Sequence, residues 1–283
     1  MLFYPEKRVV LSDRLAGCLA VMLVIAACSG VTWLSLHAVT FNRTVTSVLG
    51  VIISFYTLSA RSLIGESSKV KKHLDTGDIP AARKALSMIV GRDTGRLDEA
   101  GIIRATVETV AESMTDGIVS PLFYLAVGGP VAAVVFKAVS TMDSMIAHKN
   151  RRYRHFGTCA AYCDDIMNFI PARITGFFLV PVAAIFSGNN GVRSLKIVLR
   201  DRLNHDSPNS AHSEAAIAGA LGVRLGGGAW YQGEFIGRPF LGDDVTSVTS
   251  KIISRTNIIA VGVTVLSTLL IFGAEVIFSS GLL

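Results

Sequence analysis

The sequence predicts an all-α, polytopic integral membrane protein with about three to five membrane helices and a helical region at the cytoplasmic face. Only 17% of its 283 residues are charged, against roughly 25% in an ordinary soluble domain. The mean hydropathy is +0.50, several long stretches carry no charge, and strand patterns are almost absent. This composition excludes intrinsic disorder, a collagen-like repeat and a small disulfide scaffold.

The first two uncharged stretches predict an N-terminal membrane hairpin over residues 1–60. Residues 15–40 contain one ionisable side chain, His37, and these 26 residues exceed the ~20 that cross a bilayer as a helix. A secretory signal would have an apolar core of only ~7–15 residues, so we expect a retained anchor. Residues 44–60 are long enough for a short span. Residues 258–283, with Glu275 as their one charge, predict a C-terminal membrane helix.

Two further apolar runs, residues 118–136 and 174–190, are broken by turn-forming residues. The first contains Gly128-Gly129-Pro130 and the second contains Pro181. Irregular backbone at membrane depth needs cover from protein or water. We therefore expect each run either to dip into the membrane and return at its break, or to pack against protein.

Charge placement predicts the topology, because Lys and Arg favour the cytoplasmic side of short loops. Three segments carry nine, five and eight of them: residues 61–117, 140–173 and 188–257. We expect these segments, the N-terminus and the active site at the cytoplasmic side of the cell (inner) membrane. The net charge of +6 suits contact with membrane lipid or anionic substrates. Nucleic acid is not an expected partner, because no basic stripe is interleaved with aromatic residues.

The regions between the anchors complete the predicted organisation. Residues 61–90 predict a cytoplasmic helical hairpin, in which residues 75–78 form the turn and Pro80 opens the second helix. Residues 91–257 form a core that holds four clusters of polar residues and both broken runs.

The first cluster repeats at four-residue intervals along one predicted helix. Asp98 is placed to cap this helix, Arg104, Glu108 and Glu112 share a face, and Asp116 lies at its end. Like charges at this spacing repel unless a cation or a proton offsets them. Carboxylates are ligands that Mg²⁺ prefers and arginine binds phosphate, so the face predicts a magnesium or phosphate site. A solvated helix face is an equal alternative.

The second cluster runs from Lys137 to His148 and includes Asp143 and several hydroxyl side chains. A lysine at the end of an apolar run often extends to the membrane interface. Together with Asp143 and the hydroxyl groups, Lys137 fits a substrate pocket equally well.

The third cluster is Asp164, Asp165 and Asn168, followed by Arg173. Asp164 and Asn168 are four residues apart, so their oxygens can converge on one cation. Adjacent acids between apolar runs are costly unless they are paired or bind metal. This cluster predicts a metal–phosphate role, with an ion pair between Asp165 and Arg173 as the structural alternative.

The fourth cluster surrounds a helix rich in Ala and Gly, with Asn209 before it and Glu214 within it. The helix N-terminus near Asn209 can receive a phosphate, although a cap, a helix of small residues and a glycine turn are also an ordinary tertiary arrangement. The sequence contains no P-loop, dinucleotide fingerprint, GxSxG or HExxH motif. The four cysteines predict neither a zinc site nor a disulfide framework.

Four ordered blocks resemble the cobinamide-phosphate synthase (CobD/CbiB) family of cobalamin biosynthesis. They include RATVETVAESMTDGIVSP, FKAVSTMDSM, DDIMNFIPARIT and SPNSAHSEAAIAGALGVRLGG, and the similarity extends over residues 91–242. The resemblance implies a membrane enzyme that uses ATP and Mg²⁺ to join adenosylcobyric acid to an amino-alcohol phosphate, (R)-1-amino-2-propanol phosphate or a close relative. The product is adenosylcobinamide phosphate. Association with other corrinoid-pathway membrane enzymes is also expected.

The roles expected from this chemistry fall into three groups. The magnesium ligands are Glu108, Glu112, Asp116, Asp164 and Asp165. The phosphate receptors are Arg92, Arg104, Lys137 and Arg173, and the substrate-orienting residues are Asn168, Asp143 and Asn209. Glu108, Asp164, Asp165 and Lys137 are expected to act in catalysis, and Glu214 to deprotonate the attacking amine.

Two alternatives stay open at the level of the sequence. Ser113 and Ser140 stand where asparagine is expected in this family, and the family's usual N-terminal segment is not seen, so a shortened or divergent member is expected. Such a protein could be a non-catalytic or repurposed corrinoid-pathway paralogue. The DDxxN pattern at Asp164 also fits a Mg-dependent intramembrane prenyltransferase.

Overall fold

A computed structural model describes residues 4–146 and 155–279. Within these residues, five helical segments are long and apolar enough to span a membrane: Val10–Ala38, Arg43–Asp75, Glu99–Ile146, Thr158–Phe186 and Lys251–Gly273. The prediction of an all-α, polytopic membrane protein is therefore confirmed. His148, assigned to the second polar cluster, lies outside the described residues.

The elements follow one another as helices, with two small two-stranded sheets before the last helix. The helices are α1 (Tyr4–Ala38), α2 (Arg43–Thr57), α3 (Ala60–Asp75), α4 (Ile79–Ser87), α5 (Glu99–Met114), α6 (Ser120–Ile146), α7 (Thr158–Ile174), α8 (Val180–Phe186), α9 (Gly191–Asp201), α10 (Ser210–Leu221) and α11 (Lys251–Ser279). The strands are β1 (Leu225–Gly226), β2 (Ala229–Tyr231), β3 (Glu234–Ile236) and β4 (Phe240–Leu241). Single π-helical turns, Thr115–Val119 and Thr175–Leu179, join α5 to α6 and α7 to α8.

The chain divides into two compact units. Unit 1 comprises Met1–Leu58 and Ser120–Asn168, and unit 2 comprises Ser59–Val119 and Phe169–Leu283. The division predicted from the sequence, with boundaries at residues 60, 90 and 257, follows chain order and stays a prediction.

Unit 1 is built on α6, against which α1 and α2 pack. Asn42 caps α2, because its Oδ1 accepts hydrogen bonds from the backbone N–H groups of Thr44 and Val45. Large apolar side chains such as Leu19 and Leu23 of α1 are exposed, at 54% and 60%. An apolar face of this kind suits lipid rather than water.

The two broken apolar runs behave differently. In α6 the backbone leaves helical geometry at Gly128 and at Gly129, where φ is +66°; glycine adopts this left-handed conformation readily. The predicted turn at Pro181 is wrong, because α8 continues past it to Phe186 and the chain turns at Gly188. Pro181 lies in the first turn of α8, directly after a π-helical turn, where a proline is tolerated. This run instead packs against protein, and α8 contacts α9 and α11.

Unit 2 is organised around α10, in which every residue after Ser210 is buried. The helix is rich in Ala and Gly because its neighbours approach closely. A Cβ added at Gly219 would lie 2.8 Å from the Cα of Ser194 on α9. The helix ends at Gly222, whose left-handed backbone (φ +69°) forms its C-terminal cap.

The remaining elements of unit 2 place the polar residues. Pro80 lies in the first turn of α4, and Asp98 caps α5 by accepting a hydrogen bond from the Gly101 N–H. Strands β1 and β4 pair in one antiparallel ladder, and β2 and β3 in another. The side chain of Asp93 accepts a hydrogen bond from the Gly233 N–H, which fastens the loop before α5 to the β2–β3 hairpin.

Candidate active site

A cleft in unit 2 gathers five ionisable side chains beside a glycine-rich turn. Its lining is Arg92, Glu108, His205, Glu214, Gly226, Gly228, Ala229, Arg238, Pro239 and Leu241. The loop before α5 supplies Arg92, α5 supplies Glu108, α10 supplies Glu214, and the hairpin region supplies Arg238.

Arg92 and Glu108 form a buried ion pair at the edge of this cleft. Arg92 Nη1 lies 2.6 Å from Glu108 Oε2, and the Gly226 N–H donates to Glu108 Oε1 at 2.8 Å. Burial opposes the charge on Arg92, but the carboxylate of Glu108 outweighs it and raises the pKa of Arg92. Both carboxylate oxygens of Glu108 are thus engaged within the protein.

Glu214 is the second buried acid of the cleft and, like Glu108, has 6% of its surface exposed. Burial raises the pKa of Glu214 well above its usual range, and the charges of Glu112 and Glu108 raise it further against the opposing effect of Arg92 and Arg238. Glu112 is exposed and accepts a hydrogen bond from Ser210 Oγ at 3.1 Å. A carboxyl group in such surroundings exchanges its proton nearer to neutral pH than an ordinary glutamate.

His205 and Arg238 lie opposite each other in the cleft. The backbone N–H of Ser207 donates to His205 Nδ1 at 2.9 Å, and Arg238 Nη1 lies 3.4 Å from His205 Nε2. Burial lowers the pKa of His205, and the adjacent charge of Arg238 lowers it further. Arg238 Nε is buried, and no described residue accepts a hydrogen bond from it.

A second arrangement lies at the N-terminus of α10. Arg173 donates to Asn209 Oδ1 at 3.1 Å and to the backbone carbonyl of Phe169 at 2.7 Å. The buried ring of His212 follows within the helix. Burial and the charge of Arg173 lower the pKa of His212 to about 4, so this ring is neutral near pH 7.

Unit 1 holds its own polar cluster. Asn168 is buried; its amide donates to Asp164 Oδ2 at 2.9 Å, and its carbonyl oxygen accepts from Ser120 Oγ at 2.5 Å. Asp164 and Asn168 therefore meet as their spacing predicts, although the amide nitrogen rather than the oxygen faces the acid. Asp165 is half-buried in the same unit.

The predicted site residues are divided between the two units. Unit 2 holds Arg92, Arg104, Glu108, Glu112, Asp116, Arg173, Asn209 and Glu214, and unit 1 holds Lys137, Asp143, Asp164, Asp165 and Asn168. Of the first set, Arg92, Glu108 and Glu214 line one cleft. Arg104 and Asp116 are half-buried on and directly after α5, and Lys137 and Asp143 are half-buried on α6.

The sequence analysis missed His205 and Arg238. Each lies in a segment of turn-forming residues, so no helical or strand period places it on a face. The proline and glycine residues around Arg238, in Gly237-Arg238-Pro239, indicate an ordered turn but not the partner of its side chain.

The magnesium ligands remain a prediction. Across residues 4–146 and 155–279, no three His, Cys, Asp or Glu side chains are grouped so that they could hold a metal ion. In this structure the carboxylate of Glu108 instead forms an ion pair with Arg92.

Comparison with known proteins gives one consistent result. The family model described as CobD/Cbib protein matches residues 3–260. The cobalamin biosynthesis protein CobD of Pelobacter propionicus is 48% identical over 246 residues, covering 87% of this chain and 76% of that protein. The CobD of Clostridium perfringens is 45% identical over 86% of this chain and 78% of its own. The cobalamin biosynthesis protein CbiB of Salmonella typhi is 46% identical over 71% of this chain and 63% of its own. No solved structure matches significantly.

Proposed function

Because this chain belongs to the CobD/CbiB family of cobalamin biosynthesis proteins, we propose that it is an ATP-dependent amide ligase. It joins the one free carboxylate of adenosylcobyric acid to the amine of (R)-1-amino-2-propanol phosphate, or of a related amino-alcohol phosphate. The product is adenosylcobinamide phosphate. The observation that best supports this chemistry is the cleft in which a buried glutamate, Glu214, lies beside Arg92 and Arg238.

The reaction requires activation, because a carboxylate and an amine do not form an amide at neutral pH unaided. Transfer of the γ-phosphoryl group of ATP to the carboxylate gives an acyl phosphate and ADP. Attack by the neutral amine then forms the C–N bond and breaks the C–O bond to phosphate, which leaves as inorganic phosphate. One proton must leave the amine, so a proton acceptor is needed at the site.

Glu214 is the proton acceptor in this proposal. Its raised pKa lets its carboxylate accept a proton from an amine near neutral pH more readily than an ordinary glutamate does. Arg238 lies in the same cleft and offers positive charge for anionic groups, whereas Arg92, a predicted phosphate receptor, is paired with Glu108. Arg104, Lys137 and Arg173 remain further proposed phosphate receptors, and Asp143, Asn168 and Asn209 proposed orienting residues.

Magnesium, when bound with ATP, would offset the negative charge of the phosphoryl group that is transferred. A site held by protein ligands alone does not fit the described residues, since no group of three ligating side chains occurs among them. Mg²⁺ is commonly held by one or two carboxylates together with substrate phosphates.

The chain is a multi-pass membrane protein, and we place its active site on the cytoplasmic side of the inner membrane. The support is that ATP is a cytoplasmic substrate and that the segments carrying the cleft residues are rich in Lys and Arg. Membership of this family favours a corrinoid substrate over the prenyltransferase alternative.

The test is a ligation assay on the purified, detergent-solubilised protein with adenosylcobyric acid, aminopropanol phosphate, ATP and Mg²⁺, read by mass spectrometry. We expect adenosylcobinamide phosphate that depends on ATP. Glu214→Gln should lower the rate by about 10²–10⁴-fold, the usual effect of a lost general base. Glu99→Gln, an exposed acid in the first turn of α5, is the matched control. Corrinoid binding without product would instead indicate the repurposed paralogue.

A further inference from the structure

The hydrogen bonds of His205 determine which of its ring nitrogens carries the proton. A backbone N–H is always a donor, and that of Ser207 lies 2.9 Å from Nδ1; Nδ1 is therefore an acceptor. A neutral imidazole has one acceptor nitrogen and one N–H. Since burial keeps this ring neutral near pH 7, the proton lies on Nε2.

The proton on Nε2 makes the contact with Arg238 a meeting of two donors. Arg238 Nη1 is 3.4 Å from His205 Nε2, and a guanidinium group has no acceptor. Arg238 Nε is a buried donor that no described residue satisfies. Buried donors are nearly always paired in folded proteins, so Arg238 Nε and the two N–H groups beside it indicate a place for an acceptor that no described residue supplies.

The charges of the cleft indicate that this acceptor is an anion. Arg92 is neutralised by Glu108 at 2.6 Å, whereas Arg238 contacts a neutral histidine and the ring face of Tyr231, 5.7 Å from the ring centroid. A guanidinium beside an imidazole N–H suits a phosphate, whose several oxygens can each accept a hydrogen bond.

We propose that His205 and Arg238 bind the phosphate group of the amino-alcohol phosphate, with Glu214 facing its amine. This inference rests on the proposed function and assigns the amine subsite within it. Arg238 is then a specificity-determining residue, because it distinguishes a phosphorylated amino alcohol from the unphosphorylated one.

The composition of the cleft favours this substrate over ATP, which also carries phosphate. Glu214 shares the cleft with Arg238 and His205. One short molecule can therefore contact Glu214 with its amine and the N–H donors of Arg238 and His205 with its phosphate. A nucleotide has no ammonium group to match Glu214.

The kinetic test compares wild type with Arg238→Gln in steady-state ligation, measuring KM separately for each substrate. We expect the KM for aminopropanol phosphate to rise about 10–100-fold, the usual loss for a hydrogen bond to a charged group, while the KM for ATP stays within about twofold. The preference for aminopropanol phosphate over aminopropanol should fall by the same factor. Arg238→Lys should restore part of it, because the charge is kept.

The matched control is Arg224→Gln. Arg224 also stacks on a ring, that of Phe240, but it pairs with Asp244 at a half-exposed position and does not line the cleft. The Arg224→Gln substitution should leave the KM values for adenosylcobyric acid, aminopropanol phosphate and ATP unchanged. A rise in the KM for ATP in Arg238→Gln, or an unchanged preference for the phosphorylated amine, would overturn the proposal.

Calorimetry of aminopropanol phosphate binding to the solubilised wild-type protein tests the subsite independently of the ligase activity. Binding that Arg238→Gln and His205→Asn each weaken would support the subsite even if no amide forms, in which case only the proposed function fails. Equal binding by wild type and both variants would reject the subsite even if the ligase is active.

Discussion

At the scale of single residues, the structure changes the meaning of Glu108. Its spacing with Glu112 predicts a metal ligand, yet its oxygens accept hydrogen bonds from Arg92 and from the Gly226 N–H. A buried ion pair of this kind tolerates joint replacement better than loss of one partner. Glu108→Ala therefore affects folding as well as chemistry.

Glu108→Met should lower the free energy of unfolding by about 3–5 kcal/mol, because it leaves Arg92 buried without its partner. The double variant Arg92→Met/Glu108→Met should lose clearly less than the sum of the two single variants. Denaturant unfolding in detergent measures both. Additive losses would contradict the coupling of this pair.

The pH dependence of the free energy of unfolding should reflect the raised pKa of Glu214. A carboxyl group whose pKa is raised by folding keeps its proton in the folded state above its ordinary pKa of 4.5, so folding takes up a proton there. Stability contributed by this group therefore falls as the pH rises above that value, towards the folded-state pKa. Between about pH 5 and about pH 8, the Tm should fall less steeply with rising pH for Glu214→Gln than for wild type. Parallel curves would contradict a raised pKa.

The residues that sequence analysis found and missed differ for a physical reason. Glu108 and Glu112 are four residues apart, and helical spacing alone puts them on one side of α5. The pairing of Arg92 with Glu108, and of His205 with Arg238, joins side chains 16 and 33 residues apart through turns that carry no period. A single sequence predicts the first kind of proximity but not the second.

At the scale of elements, the sequence predicts the features that act within one helical turn better than the short strands. The cap at Asp98 and the proline at the start of α4 were readable from the sequence, because they act within one helical turn. The strands were not predicted, since each has only two or three residues. Pro181 predicts a turn, whereas in the structure it lies in the first turn of α8, directly after a π-helical turn.

Gly219→Ala should destabilise the protein by about 1–3 kcal/mol, the usual cost of overpacking, because the new methyl group meets α9 at 2.8 Å. Gly65→Ala is the matched control, since Gly65 lies on α3 with open space around it. That control should be neutral or stabilising by up to about 1 kcal/mol, from helix propensity. Equal effects of the two substitutions would contradict the close packing of α10.

At the scale of the whole molecule, hydropathy predicted the membrane class, because each spanning helix must satisfy its backbone internally and face lipid with apolar side chains. The membrane sidedness is a proposal from Lys and Arg placement. Two exposed positions test it: Leu203, 76% exposed after α9, and Phe41, 86% exposed between α1 and α2.

In a cysteine-free variant, Leu203→Cys should react with a membrane-impermeant maleimide only after the inner membrane is permeabilised. Phe41→Cys should react in intact spheroplasts, because the hairpin of the first two helices returns to the cytoplasm. Labelling of Leu203→Cys from outside would contradict a cytoplasmic active site, and would do so independently of any activity.

The most direct test of the central claim follows oxygen through the reaction. Adenosylcobyric acid labelled with ¹⁸O in its free carboxylate is incubated with the solubilised protein, ATP, Mg²⁺ and aminopropanol phosphate, and the products are weighed by mass spectrometry. The account predicts adenosylcobinamide phosphate that keeps one carboxylate oxygen, with the other in inorganic phosphate. Label in AMP would contradict activation by phosphoryl transfer, and the absence of amide from a corrinoid-bound protein would contradict the ligase itself.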